Sequence, residues 1–282
     1  MFSSKKLFIP LLFLSIPIYA FGGVKMDTSS KTMLTLDDIQ PASWEKLAQK
    51  KIFFGHQSVG NNIMKGIEEL MQKNSNIRLH VLETSKPSDF SSGVFAHYSI
   101  GQNEKPESKI QDFARIMDQG IGGQADLALF KFCFVDITAS TDIQRLFNEY
   151  KHTMAVLEKK HPQTTFLHCT IPLLEKPQSS LKSFIKKLLG TDGGFFDSKH
   201  NVARNEFNEL LRNEYSGKAM IIDIAEMEST YPDGTRETFN QNSKTYYSLI
   251  PDYTNDGGHL NELGRKRVAE GFLKQLVKAM KK

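Results

Sequence analysis

The chain has 282 residues, of which 24% are charged, and its formal net charge at pH 7 is +4. This length is enough for one large α/β domain with a sizeable hydrophobic core. The near balance of charges does not favour a nucleic-acid-binding protein, because such proteins present a strongly basic surface.

The first twenty residues have the pattern of a secretory signal peptide. Lys5 and Lys6 precede an apolar run over residues 7–18, and Ala20 stands where a signal peptidase would cut. The run is short for a bilayer span and two prolines interrupt it, so a permanent anchor is not expected. We predict cleavage after residue 20, export to the periplasm or the medium, and no stable membrane span in the mature protein.

The chain contains only two cysteines, Cys133 and Cys169, and both lie in apolar runs. Two buried thiols are favoured over a disulfide, although an exported protein permits one. The CxxC and His-x-x-x-His spacings of zinc sites are both absent from the sequence. No metal and no cofactor are therefore expected.

After a polar leader over residues 21–50 that ends in a short helix near Trp44, strands and helices alternate. Such alternation predicts parallel strands joined by right-handed crossovers. We expect residues 51–282 to form a three-layer α/β/α sandwich with a five-stranded parallel, flavodoxin-like sheet. The predicted strands cover residues 51–54, 77–83, 127–135, 165–171 and 219–224. The predicted helices cover residues 59–72, 106–117, 142–160, 202–215 and 261–280.

Three long segments are predicted to be irregular: a loop rich in Ser, Gly and Pro over 84–106, an insertion over 172–200, and a loop over 226–254. Loops of this length are often functional. The carboxyl ends of parallel strands open on one edge of the sheet, so we expect residues 55–58, Asp136, Thr170 and the 256–259 loop to converge there.

The turn Asp256-Gly257-Gly258-His259 is the clearest candidate for chemistry. Two glycines permit a tight turn, so that the carboxylate can hold the imidazole in one tautomer, as in a hydrolytic triad. The alternative is a glycine turn whose aspartate caps the following helix.

Ser58 is the best candidate nucleophile, because it follows the first strand and stands at the start of a helix. The helix dipole and the free N–H groups there favour the attacking oxygen and the oxyanion that its attack creates. The alternative is that Ser58 simply caps the helix.

The order of these features resembles the SGNH hydrolases, also called the GDSL esterase/lipase family, over nearly all of the chain after Lys51. Asp256 to His259, with Asn261 and Gly264 behind them, are similar to the family's last block. Gly101 and Asn103, in Ile100-Gly101-Gln102-Asn103, are similar to its second block, and Asp136 to the aspartate that ends its third. The pattern Arg204-Asn205-Glu206-Phe207-Asn208, before the last predicted strand, also resembles the family.

The chain also departs from the family pattern. In the third block, Cys133 occupies the position where the family has a glycine, and Val135 the position where it has the asparagine that donates to the oxyanion. With one oxyanion donor missing, the enzyme would be slow, or a side chain such as Asn61, Asn62 or Gln57 would act as a substitute donor. Counting from Gly55, His56 falls on the family's aspartate and Gln57 on its serine, so Ser58 becomes the nucleophile only if the turn carries one extra residue.

The resemblance implies hydrolysis of an acyl or acetyl ester, of a small molecule or a glycan, without a cofactor. Ser58 would attack, His259 would act as base, Asp256 would orient it, and the N–H groups of Ser58 and Gly101 would receive the oxyanion. Two alternatives remain open. One is an SGNH-like module that has lost turnover and binds a glycan or serves as a scaffold; the other is a metal-dependent hydrolase built on His56, His97, Asp256 and His259.

Overall fold

The computed structural model describes residues 36–176 and 197–280. The predicted signal peptide, most of the leader and most of the predicted insertion lie outside the described residues. All described residues belong to one compact unit that begins at Leu34.

The core of the fold is a six-stranded parallel sheet with the strand order β2-β3-β1-β4-β5-β6. The α/β class and the parallel sheet are confirmed, but the predicted number of five strands is wrong. The strands are β1 (Lys51–His56), β2 (Val81–Glu83), β3 (Val94–Ser99), β4 (Leu127–Phe130), β5 (Thr165–Cys169) and β6 (Ile221–Ile222).

The additional strand is β3, which lies within the predicted loop over 84–106. It pairs with β1 on one side and β2 on the other, so Phe95 and Ala96 are buried. The serine- and glycine-rich residues around this short strand obscured its apolar pattern. Conversely, β4 ends at Phe130, whereas the prediction continued to Val135, because the buried loop that follows is as apolar as a strand.

Helices cover both faces of the sheet, as a three-layer sandwich requires. The alternation of side chains along β1 directs Ile52 and Phe54 to one face and Phe53 to the other. The first face packs against α1 (Pro41–Ala48), α2 (Val59–Lys73), α6 (Ile224–Ser229) and α7 (Glu262–Ala279); the second packs against α3 (Pro106–Asp118), α4 (Ile143–Lys160) and α5 (Ser198–Tyr215).

The segment over 226–254 is more regular than predicted. It contains most of α6 and an antiparallel hairpin of β7 (Thr238–Gln241) and β8 (Lys244–Tyr247). The side-chain amide of Asn205 donates to the Tyr247 carbonyl (2.9 Å) and its oxygen accepts from the Tyr247 N–H (3.1 Å). This pairing with a residue of α5, 42 positions away, holds the hairpin and has no local signature in the sequence.

Cys133 and Cys169 are both buried free thiols. Among the helices of the described residues, none is long and apolar enough to cross a membrane.

Candidate active site

Ser58 occupies a sharp turn between β1 and α2. Its φ is 54° and its ψ is −111°, a backbone conformation that residues with a side chain rarely adopt. Its hydroxyl makes no capping hydrogen bond to α2. A strained strand-to-helix turn of this kind exposes a nucleophile at the top of a sheet, and the hydroxyl is not used as a helix cap.

Ser58, His259 and Asp256 form a hydrogen-bonded series. The Ser58 Oγ lies 2.6 Å from the His259 Nε2, and the His259 Nδ1 lies 2.7 Å from the Asp256 Oδ2. The His259 side chain is 48% exposed and that of Asp256 is 56% exposed, so solvent reaches the series. The two nitrogens of the imidazole therefore face a hydroxyl and a carboxylate, the arrangement in which a base can deprotonate a serine.

The loop around Asp256 holds its carboxylate in the ionised form. The Asp256 Oδ1 accepts hydrogen bonds from the N–H groups of Gly258 (2.9 Å) and His259 (2.8 Å) and from the Thr254 hydroxyl (3.2 Å). Partial burial raises the pKa of Asp256, but the N–H of Gly258 together with the ring and N–H of His259 outweigh it and lower the pKa to about 2. The carboxylate thus stays negative beside the imidazole across the neutral range.

Contacts from other elements restrain the imidazole and its backbone. The ring of Phe134 meets the His259 ring edge to face, with the centroids 5.4 Å apart. The Leu260 N–H donates to the Asn62 Oδ1 (3.1 Å). Asn261 then caps α7 by accepting from the Gly264 N–H (3.0 Å). His259 is thereby held between α2, the loop after β4 and the start of α7.

Two predicted oxyanion donors are engaged elsewhere, and that part of the prediction is wrong for this structure. The Gly101 N–H donates to the Asp112 Oδ2 (2.9 Å). The Gln57 Nε2 donates to the carbonyls of Ile100 (2.8 Å) and Gly101 (2.7 Å). The Gln57 bonds join the turn before Ser58 to the loop after β3, and the Gly101 bond joins that loop to α3. Both donors are therefore used within the protein.

Asp136 and Asn103 surround a buried lysine. The Lys109 ammonium forms a fully buried ion pair with Asp136 and donates to the Asn103 Oδ1 (2.9 Å). Asp136 also accepts from the N–H groups of Cys133 (2.6 Å) and Glu104 (2.9 Å). The polar atoms of both residues thus connect the loops after β3 and β4 to each other.

His56 lies beneath the first turn of α2, against Gly60. Its Nε2 lies 3.1 Å from the His97 Nδ1, and the two rings stack. Burial, followed by the charge of Lys131 and by His97, lowers the pKa of His56 to about 2, so it is neutral at physiological pH. His56 is thus a packed, uncharged member of the core and not a group that faces the hydroxyl of Ser58.

The second alternative from the sequence, a metal centre, required His56, His97, Asp256 and His259 to converge. The structure pairs the first two with each other and the last two with each other. The described residues include no group of three His, Cys, Asp or Glu side chains that could hold a metal ion.

Of the remaining candidates, Asn61 is exposed in the first turn of α2, and Val135 offers no polar side chain. The N–H of Ser58 itself meets no acceptor in the part of the chain that the structure describes. This N–H remains available to a developing oxyanion beside the attacking oxygen.

Sequence reasoning missed three residues that shape the site: Asp112, Phe134 and Thr254. Thr254 lies two positions before Asp256 and accepts from the Gly257 N–H (2.9 Å), a local turn that its spacing could have indicated. Asp112 and Phe134 reach the site from α3 and from the loop after β4. No pattern in the neighbouring sequence predicts such contacts.

No protein-family model and no curated protein sequence matches the chain. Solved structures resemble it at low identity. A proposed acylhydrolase from Bacteroides fragilis gives a TM-score of 0.49 and 11% identity over 86% of this chain and 95% of the other. A member of the lipolytic G-D-S-L family from Veillonella parvula gives 0.43 and 12% over 79% and 95%. A catalytic mutant of an acetylxylan esterase from Geobacillus stearothermophilus gives 0.43 and 11% over 80% and 94%.

Proposed function

We propose that the protein is an exported serine ester hydrolase of the SGNH type that acts on an acyl or acetyl ester. The observation that carries the proposal is the series Ser58–His259–Asp256, with hydrogen bonds of 2.6 and 2.7 Å and the serine held in a strained turn. A serine that merely caps a helix would have neither feature.

The geometry supports a two-step reaction. The His259 Nε2 takes the proton of the Ser58 hydroxyl while the Ser58 Oγ forms a bond to the carbonyl carbon of the ester. The former carbonyl oxygen of the tetrahedral intermediate then accepts a hydrogen bond from the Ser58 N–H. The ester C–O bond then breaks, and His259 returns the proton to the departing alkoxide. In the second step, His259 takes a proton from water while the water oxygen bonds to the acyl carbon. The bond from this carbon to the Ser58 Oγ then breaks, and His259 returns the proton to that oxygen. The ionised Asp256 stabilises the imidazolium in both steps.

A second candidate function is a module that binds an ester or a glycan without turning it over. The engagement of Gly101 and Gln57, together with Val135 in place of an asparagine, favours it. Loss of one oxyanion donor typically lowers the rate about a hundredfold to a thousandfold. If the protein is an enzyme, we therefore expect turnover to be slow compared with hydrolases that use three donors.

Active-site labelling separates the two candidates. The mature protein is treated with a fluorophosphonate, the adduct is located by mass spectrometry, and hydrolysis of p-nitrophenyl acetate is followed in parallel. We expect an adduct on Ser58 alone, no adduct in Ser58→Ala, and rates lowered about 10²–10⁴-fold in His259→Ala and Asp256→Asn. Ser75→Ala, two residues beyond the C-terminal end of α2, should behave as the wild type.

An unlabelled protein without hydrolysis would support the binding module, and an adduct on another residue would show that Ser58 is not the nucleophile. If hydrolysis is found, release of acetate from an acetylated polysaccharide, compared with a small acetyl ester, tests whether the alcohol partner is a glycan. N-terminal sequencing of protein from the periplasm and the medium tests the proposed export and cleavage after Ala20.

A further inference from the structure

The nucleophile and the base of the proposed reaction are carried by two neighbouring helices. Ser58 directly precedes α2, and His259 lies three residues before α7. A Cβ added to Gly66 of α2 would lie 2.5 Å from the Arg265 carbonyl oxygen of α7, so the two backbones approach closely there. The turn at Ser58 and the loop at His259 therefore lie next to each other, where these two helices begin.

Among the described residues, two polar side-chain contacts join α2 to α7 or to the loop directly before it, and we call this contact region the seam. Near the site, the Asn62 Oδ1 accepts from the Leu260 N–H (3.1 Å). About two turns further along α2, Glu69 forms an ion pair with Arg265, whose Nε lies 3.0 Å and whose second amino group lies 2.6 Å from the carboxylate oxygens. Only the first of these contacts adjoins His259 in the chain.

In the part of the chain that the structure describes, the hydrogen bonds of His259 to groups other than the Ser58 hydroxyl lie within its own loop. Asp256 and Thr254 orient the imidazole and close the turn, but they would move together with His259 if the loop shifted. The bond from Leu260 to Asn62 joins this loop to the helix that begins at Ser58. It links positions 198 residues apart in the sequence.

We propose that Asn62 is a positioning residue, which holds the His259 loop at the distance from α2 that brings the imidazole to the Ser58 hydroxyl. This inference rests on the proposed function. A displacement of about 1 Å between reacting groups can lower a rate about a hundredfold, so one side-chain acceptor at this place can matter to turnover.

Three variants test the role of Asn62. Asn62→Ala removes the acceptor of the Leu260 N–H, Asn62→Asp keeps an acceptor oxygen, and Glu69→Gln weakens the other contact of the same seam. For p-nitrophenyl acetate, we expect Asn62→Ala to lower kcat about tenfold to a hundredfold with little change in KM. Asn62→Asp should recover most of kcat, because its carboxylate can still accept from the Leu260 N–H. Glu69→Gln should lower Tm and leave kcat unchanged.

A purely structural role would give the opposite pattern, and the inference fails if Asn62→Ala keeps kcat within about twofold of the wild type or if Glu69→Gln loses as much kcat. A readout without turnover is the ¹⁵N shift of the His259 Nε2 in histidine-labelled protein. The change seen in Ser58→Ala defines loss of the Ser58 contact, and Asn62→Ala should reproduce it while Asn62→Asp should not. If the ¹⁵N shift is unchanged in Asn62→Ala, the inference is wrong even if the protein has no activity. If the fluorophosphonate does not react with Ser58 but the ¹⁵N shifts change as expected, only the proposed function is wrong.

Discussion

Ser58 combines a hydrogen-bonded hydroxyl with a backbone conformation that costs a residue with a Cβ about 1–3 kcal/mol. Its φ of 54° and ψ of −111° suit glycine better than serine. Replacing Ser58 by glycine would relieve this strain, but part of the gain in stability is lost because glycine has more conformational entropy in the unfolded chain. We therefore expect Ser58→Gly to be more stable than Ser58→Ala by about 1 kcal/mol, measured by urea denaturation, although both lose the nucleophile. Equal stabilities would mean that the turn relaxes without strain.

At this scale the sequence predicted residue types and near neighbours well. Asp256 and His259 lie within four positions, so their contact follows from the turn between them. The partners of Gly101 and Gln57 could not be predicted in the same way. The first depends on a carboxylate eleven residues away in α3, and the second on backbone carbonyls more than forty residues away.

The seam between α2 and α7 gives a prediction at the scale of elements. Alanine normally stabilises a helix relative to glycine by about 1 kcal/mol, but a Cβ at Gly66 would lie 2.5 Å from a backbone oxygen of α7 that cannot rotate away. A Cβ at Gly271 of α7 would instead meet the flexible side chain of Met227 at 2.7 Å. We expect Gly66→Ala to lower the free energy of unfolding by about 1–3 kcal/mol.

Gly271→Ala is the matched control, since the same substitution in the same helix pair should be neutral or stabilising. Chemical denaturation of both variants decides the matter. If Gly66→Ala is as stable as Gly271→Ala, the two helices can move apart enough to accept a Cβ at little cost.

A prediction for the whole molecule comes from Glu228, which α6 buries in the interior. Its Oε1 accepts from the Leu173 N–H, and its Oε2 has no partner among the described residues. Burial raises the pKa of Glu228 to about 8, against lowering by the Leu173 N–H and by the charges of Lys131 and Arg204. Because the folded protein binds this proton more tightly than the unfolded chain, the resulting stabilisation is complete below about pH 4.5 and is lost as the pH rises through about 8.

We therefore expect the free energy of unfolding of the wild type to fall, relative to Glu228→Gln, by up to about 1 kcal/mol per pH unit between pH 5 and pH 8. Glutamine keeps the acceptor for the Leu173 N–H and cannot ionise. Urea denaturation of the two proteins over this range provides the comparison. Parallel curves would show that Glu228 is ionised in the folded protein at pH 5 and has no raised pKa.

By itself, the sequence determined the α/β class, most of the helices, and the turn that brings Asp256 to His259. These features depend on hydrophobic periodicity and on spacings of a few residues, which a chain carries locally. Only the tertiary structure decided that β3 lies between β1 and β2, that Gly101 donates to Asp112, and that Asn62 meets Leu260. Each of these depends on elements distant in the sequence being packed together, since a hydrogen bond forms only at a distance and direction that the assembled fold sets.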